Sequence, residues 1–240
     1  MKYSIAFFSI LLFSCGIDNY IYLEPVGSGN VAVISNTYAT VNLSSMSENI
    51  YFKYFALYYR IYISGLPLSG TVSTDLFTAV NSYLSSDYNA FAPYLNNTSI
   101  STSVDTLFTN RQHRRIALEG ASIEDVLAVD RTTIVFDFAQ NPGSTPYLQI
   151  GGQEYLLQRS NGNGIFFPEP SNRYFFNTSD LNSSANATSS VNADVANADI
   201  SGARYTYVAL YIVATGMDNN FAPIYSAPTF IGVFSLPETF

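Results

Sequence analysis

The sequence predicts a mainly β protein, either a β-sandwich or a β-barrel. The chain of 240 residues is 48% hydrophobic but only 12% charged, and its aromatic residues are 19 Tyr and 18 Phe. Aromatic residues favour strands, and so few charges are unusual in solvent-facing helices. In addition, at least eight short runs of β-branched and aromatic residues are separated by Gly, Asn and Pro, as in all-β folds.

The first two predicted strands are residues 30–35 and 38–43, which are bounded by Gly, Asn and Ser. The strongest is 51–64, YFKYFALYYRIYIS, with aromatic and branched residues on both faces. This pattern is typical of a strand that is buried on both sides, or on one side with aromatic residues covering the other. Six further strands are predicted at 132–138, 147–150, 154–158, 165–167, 205–215 and 229–234.

One segment has helical rather than strand periodicity. From Ser73, a candidate N-cap, apolar residues recur with a spacing that predicts a helix of about three turns. This helix falls in a predicted insertion at 66–131, which also holds a second helical turn at 122–127. We expect the insertion to be a subdomain on one edge of the sandwich, because it is too short for a core of its own. Downstream, the Ser- and Asn-rich stretch 177–203 is predicted to be a solvated loop.

The first fourteen residues have the three parts of an export signal. Lys2 is a short positive region, 5–13 is an apolar run, and the small residue Ser14 precedes Cys15. The apolar run is too short to cross a bilayer, which takes about 20 residues. We therefore expect 1–14 to be a signal peptide that is removed on export.

The residues Leu12, Phe13, Ser14 and Cys15 resemble the lipobox of bacterial lipoproteins in a relaxed form. The resemblance implies cleavage before Cys15, a diacylglyceryl thioether on its sulfur and an acylated amino group. Two or three acyl chains hold a protein stably on a membrane. The alternative is an ordinary signal with a chance cysteine near the cut. Because Cys15 is the only cysteine, it cannot form an internal disulfide, which favours lipidation.

In its lipobox and Tyr-rich strands the chain also resembles small spirochaete lipoproteins without an assigned activity. We therefore expect an anchor and tether at 15–29 and a location in the bacterial cell envelope. The face of the membrane stays open: the body is either periplasmic or exposed at the surface.

The body resembles a fibronectin type III or immunoglobulin-like sandwich. Residues 52–63 resemble its third strand and 205–234 its last two, with Tyr205 or Tyr207 at the place of the tyrosine corner. The chain lacks the family's core tryptophan. The resemblance implies one sandwich domain over 30–240 with a helix-containing insertion, and it implies nothing about function.

The residue types that catalysis and metal binding need are scarce. His113 is the only histidine, no Gly-x-Ser-x-Gly elbow is present, and the only cysteine is the predicted lipid site. Phosphate-binding and dinucleotide-binding glycine motifs are absent. We expect no metal, no cofactor and no enzymatic activity. One alternative is a hydrolase with a carboxylate pair, although a solvated acidic face explains the same residues more simply; these are Glu119, Glu124, Asp125, Asp130 and Asp137.

One cluster concentrates positive charge in a chain whose net charge is -8: Arg111, His113, Arg114 and Arg115. An acidic chain with this composition is a poor nucleic-acid binder, so we expect no nucleic-acid partner. The cluster is a candidate contact for a phosphate-bearing headgroup, an anionic glycan or an acidic partner. The simpler interpretation, which we favour, is that it pairs with Glu119, Glu124 and Asp125 at the base of the insertion.

A second candidate contact is aromatic. Tyr88, Phe91 and Tyr94 surround Pro93 and could stack on sugar rings or on a protein partner. Core packing is the alternative role, as for most Tyr and Phe of this chain.

These observations lead to three functional hypotheses. The first is a lipid-anchored binding module for a protein or glycan, with an exposed aromatic patch far from Cys15. The second is a periplasmic structural or assembly lipoprotein, with a long unpaired edge strand. The third is a carboxylate-dependent hydrolase.

Overall fold

The described part of the chain is mainly β in the computed structural model. The structure describes residues 22–35, 37–43, 49–64, 114–129, 132–138, 145–159, 174–176, 195–196 and 205–236. Besides the strands, these ranges hold one 3₁₀ turn, Ser28–Asn30, and one short α-helix, α1, Ile123–Val126. The strands are β1 Val31–Val33, β2 Tyr38–Asn42, β3 Phe52–Ser64, β4 Arg114–Arg115, β5 Ala117–Leu118, β6 Thr133–Asp137, β7 Tyr147–Ile150, β8 Gln153–Arg159, β9 Tyr174–Phe175, β10 Val195–Ala196, β11 Tyr205–Met217, β12 Pro223–Tyr225 and β13 Thr229–Ser235.

The strands form two sheets. The first has the order β1-β2-β6-β7-β8-β5, with β9 beside β8, and the second has the order β10-β3-β11-β12, with β13 beside β11 and β4 beside β3. Neighbouring strands are antiparallel except β10, which runs parallel to β3. Each predicted strand that falls within the described residues is present, whereas the predicted strand at 165–167 lies outside them.

The longest pairing joins β3 to β11 along their whole length, from Phe52 opposite Gly216 to Ser64 opposite Tyr205. Both strands are rich in Tyr and aliphatic residues, which suit a pleated, buried surface. The five consecutive residues 55–59 of β3 and the residues 206–216 of β11 are all buried. Burial on both faces, one of the two forms predicted for 51–64, therefore holds for residues 55–59, whereas Lys53 is exposed.

The inner faces of the two sheets share one core. Phe55 and Leu57 of β3 belong to the same buried cluster as Val41 of β2, Phe136 of β6 and Leu148 of β7. Two aromatic contacts extend this cluster: Phe138 stacks on Phe234 at 4.8 Å between ring centroids, and Tyr59 meets Phe176 edge-on at 4.7 Å. Two antiparallel sheets with a shared core are consistent with a β-sandwich, so the prediction of a mainly β fold is confirmed.

The segment from Arg114 to Leu118 links the two sheets at one edge. β4 pairs with β3, β5 pairs with β8, and the backbone N–H of Ile116 between them donates to Leu57 O at 2.8 Å. Strands that change sheets in this way form the corners of sandwiches. The predicted insertion at 66–131 thus contains strand residues of both sheets, and the predicted loop at 177–203 contains β10.

The helix α1 follows this corner. Its helical turn is closed by Leu127 N–H donating to Ile123 O at 2.9 Å, and Leu127 O in turn accepts from Phe55 N–H at 3.0 Å. The helical turn predicted at 122–127 is confirmed. The longer helix predicted from Ser73 lies outside the described residues.

The strand directions give the sandwich two distinct ends. At what we call the proximal end, Asn49 Nδ2 donates to Tyr22 O at 3.0 Å, and Met217 N–H donates to Tyr51 O at 3.0 Å. This end therefore holds the first described residues, the turn before β3 and the loop after β11. At the distal end, β3 finishes at Ser64 opposite the start of β11.

Gly216 marks a close approach at the proximal end. A Cβ at this position would overlap the carbonyl oxygen of Tyr51 and lie 2.9 Å from its carbon and 3.1 Å from Leu23 Cδ1. Because backbone atoms cannot yield cheaply, we expect Gly216→Ala to lower the free energy of unfolding by about 1–3 kcal/mol.

Equilibrium urea unfolding followed by circular dichroism measures this change. The matched control is Gly29→Ala, since nothing lies within 4 Å of the added Cβ there. Equal stabilities for the two variants would contradict the close approach.

Candidate functional site

Two of the predicted contact residues lie within the described part of the chain, Arg114 and Arg115, which form β4. The other predicted site residues lie outside it: Cys15, Tyr88, Phe91, Tyr94, Arg111 and His113.

The strand β4 places its two arginines on opposite faces of the second sheet. Arg114 is opposite Tyr59 and Arg115 is opposite Tyr58. Directly opposed residues of antiparallel strands share a face, and Tyr59 belongs to the inner core whereas Tyr58 belongs to an apolar cluster on the outer face. These two arginines therefore do not form one positive patch, although they are adjacent in sequence.

Arg115 is held by a carboxylate and an aromatic ring. Its Nη2 donates to Glu124 Oε1 at 2.9 Å, its Cζ lies 5.1 Å from the centroid of the Tyr54 ring, and Glu124 Oε2 also accepts from Ser122 Oγ at 3.1 Å. Burial of the guanidinium acts to lower its pKa, but the nearby Tyr54, Tyr58 and Glu124 outweigh this and raise the pKa of Arg115 above its ordinary value. Arg115 thus fastens α1 to the edge of β3, where Leu127 O accepts from Phe55 N–H.

Arg114 is 8% exposed, and its buried Nε has no hydrogen-bond partner. Another buried polar residue is Gln158 of β8, at 1% exposure, whose amide nitrogen and oxygen also lack hydrogen-bond partners. Burying such groups without partners costs free energy. In the sequence Gln158 ends a predicted strand and carries no signal of burial, because its neighbours Ala117 and Phe175 come from distant parts of the chain.

The described carboxylates of the hydrolase hypothesis do not share one environment. Glu124 is bound to Arg115, and Asp137 accepts a hydrogen bond from Tyr147 Oη at 2.9 Å. Glu119 and Asp125 are exposed, as a solvated acidic face requires. Asp130 lies outside the described residues.

No group of three or more His, Cys, Asp or Glu residues in the described part of the chain could hold a metal ion. Among the residues described, no helix is long and apolar enough to cross a membrane.

Besides Val33 and Ile34 at the end of β1, the described surface has a second group of exposed apolar side chains, which the sequence analysis missed. It lies at the proximal end, and we call it the apolar tip: Tyr22, 63% exposed, Ile50, 78%, Met217, 44%, and Phe221, 83%. Ile50 and Phe221 each follow polar turn residues, Ser-Glu-Asn and Asp-Asn-Asn. For Phe221, the three polar residues that precede it are the sequence signal that points to exposure.

Comparisons of this chain with protein-family models, with curated proteins and with solved structures found no match.

The pair of Arg115 and Glu124 yields a stability prediction. The Arg115 side chain is 15% exposed and that of Glu124 is 34% exposed, so solvent screens the pair in part. A double-mutant cycle with Arg115→Met and Glu124→Gln should give a coupling free energy of about 1 kcal/mol in urea unfolding. A cycle with Arg115→Met and Asp125→Asn serves as the control, since Asp125 is exposed. Coupling of the same size in both cycles would rule out a specific role for the pair.

The hydrogen bond between Tyr147 and Asp137 yields a prediction about pH. The carboxylate of Asp137, which accepts a hydrogen bond from the phenol O–H, raises the pKa of Tyr147 to about 12, and burial adds to this. Because the folded pKa lies above the ordinary value of about 10, the stabilisation is complete below that pH and is lost as the pH rises through 12.

Carbon-13 NMR of labelled tyrosine measures this pKa, with Tyr147→Phe identifying the resonance. In Asp137→Asn we expect the same resonance to titrate at lower pH, nearer the ordinary range. An unchanged titration in Asp137→Asn would refute the assignment.

Proposed function

We propose that this protein is a bacterial lipoprotein of the cell envelope that acts by binding a protein or glycan partner rather than by catalysis. The lipobox-like run that ends at Cys15 supports the anchor. The observation that carries the proposal is the direction of the strands, which separates the N-terminal end of the sandwich from the end that carries its longest connection.

The tether and the longest connection leave the sandwich at opposite ends. Tyr22 lies at the proximal end, seven positions after Cys15. The strand β3 spans thirteen residues from there to Ser64, which at 3.3 Å per residue is about 40 Å. The connection 65–113 starts at that distal end and carries most of the candidate contact residues: Tyr88, Phe91, Tyr94, Arg111 and His113.

A binding function is consistent with this separation of the two ends of the sandwich. A partner that approaches an anchored protein from outside meets the end that faces away from the membrane. Binding residues are concentrated in loops held by a rigid scaffold, and the pair of β3 and β11 is such a scaffold.

We also propose that the sandwich is of the immunoglobulin or fibronectin type III kind. In that fold the third strand pairs with the sixth, and the sixth with the last. The pairings of β3 with β11 and of β11 with β13 support this assignment. The first sheet departs from the family pattern, because β2 pairs with β6 and the chain continues as the meander β6-β7-β8.

The alternative is a periplasmic structural or assembly role. Assembly by strand addition needs a long unpaired edge. In the described part of the two sheets, the edge strands β1, β5, β10 and β12 have two or three residues each. The seven-residue strand β13 pairs with β11 alone among the described strands, so it is the edge that such a role would use.

The proposal is tested by the intact mass of the membrane-extracted protein. We expect a chain that begins at Cys15 and carries the added mass of two or three acyl chains, and we expect Cys15→Ser to lose this mass and leave the membrane fraction. Protease treatment of whole cells should then cleave the lipidated protein. An unmodified soluble chain would remove the lipoprotein assignment, and a lipidated chain protected from protease would favour the periplasmic role.

A further inference from the structure

We propose that the apolar tip, formed by Tyr22, Ile50, Met217 and Phe221, contacts the membrane interface and sets the orientation of the sandwich. This inference rests on the proposed lipid anchor at Cys15. It adds a second contact with the bilayer, made by described side chains of the folded body.

The four residues lie at the same end of the sandwich because two turns meet there. The turn before β3 is closed by Phe52 N–H donating to Asn49 O at 3.0 Å, and Asn49 reaches Tyr22 through its side chain. The loop after β11 begins beside the same turn, since the backbone N–H of Met217 donates a hydrogen bond to Tyr51 O. These three segments are distant in sequence, and the hydrogen bonds hold them together at one surface.

Hydrogen bonds to Asp218 hold the loop that carries the exposed ring of Phe221. Asp218 Oδ1 accepts from the backbone N–H groups of Asn220 and Ala222, both at 2.8 Å, and Phe221 N–H donates to Asp218 O at 3.1 Å. Phe221 has a φ of 62°, a left-handed conformation that bulky residues rarely adopt. This strained backbone is retained while the ring stays 83% exposed. A glycine or an asparagine would form this loop more cheaply, so the ring points to a contact outside the chain.

The length of the tether identifies the bilayer as that contact. Seven residue steps separate Cys15 from Tyr22, and a fully extended chain spans at most about 25 Å over that distance. The acyl chains on Cys15 therefore keep the proximal end near the membrane surface. The sequence of the tether agrees with this placement, since Ile17, Tyr20 and Ile21 are apolar or aromatic.

The chemistry of the tip fits the boundary between headgroups and acyl chains. Aromatic residues such as Tyr gather at this boundary because they have an apolar body and a polar edge, and exposed Phe and Ile gain free energy by burial just below it. Lys53, which is exposed and follows Phe52 at the same end, adds a positive charge beside the headgroups. The acyl chains supply the attachment, and the tip restricts the tilt of the body.

Single-tryptophan fluorescence tests this inference, because the chain has no Trp. Phe221→Trp and Ile50→Trp each place a probe on the apolar tip. Ile34→Trp places one outside the tip, directly after β1, where Ile34 is 64% exposed. Each lipidated variant is reconstituted into vesicles of phosphatidylcholine and phosphatidylglycerol, with and without brominated acyl chains. We expect brominated lipids to remove most of the emission of both tip probes and to leave Ile34→Trp unchanged. Circular dichroism of each variant establishes that it has folded.

The outcomes distinguish a failure of the proposed tip contact from a failure of the proposed lipid anchor. Intact mass is measured on the same samples, so an unlipidated chain signals failure of the proposed function itself. If the chain is lipidated but bromine does not quench the tip probes, or quenches all three equally, the tip does not insert and the inference is wrong. If Phe221→Trp, combined with Cys15→Ser and without vesicles, shifts its emission as the protein concentration rises, a second copy occupies the tip and the inference also falls.

Discussion

The structure depends on one pairing, that of β3 with β11, and on the burial of both strands on both faces. The two strands exchange backbone hydrogen bonds over almost their whole length, and β4, β10, β12 and β13 all attach to one of them. The inner face of the pair contributes Phe55, Leu57, Val208 and Leu210 to the core shared with the first sheet. The outer face carries a second buried cluster with Tyr58 and Tyr211. A polar substitution within either strand would therefore disturb more than one layer of the molecule.

The same pairing explains why the two ends of the molecule differ. Because β3 and β11 are antiparallel and equally long, short turns and the first described residues collect at one end, while the connection 65–113 starts at the other. A rigid strand pair of about 40 Å keeps these ends apart.

Most of the strands could be predicted from the sequence because long apolar runs carry their own signal. Residues 51–64 and 205–215 contain enough Tyr, Ile and Val to predict strands without knowledge of their partners. The two-residue strands β4 and β5 carry no such signal, since pairing with β3 and β8 alone defines them. For the same reason Arg114 and Arg115 read as one positive cluster in the sequence, although strand alternation turns one inward and the other outward. The apolar tip was missed because proximity of Tyr22, Ile50 and Phe221 depends on the tertiary fold.

The distribution of charge explains why contact with a membrane would rely on apolar side chains. Among the described basic residues, Lys53 is exposed, whereas Arg60, Arg114, Arg115 and Arg159 are partly or fully buried. The exposed acidic residues in the same ranges are Glu24, Glu119, Asp125 and Glu154. An acidic surface gains little from anionic lipids, since electrostatic attraction requires clusters of Lys or Arg. None of the four described arginines is exposed, and Arg115 fastens α1 to β3, whereas aromatic and aliphatic groups are exposed at the proximal end. Adhesion through such groups persists at high salt, whereas adhesion through charges weakens because salt screens them.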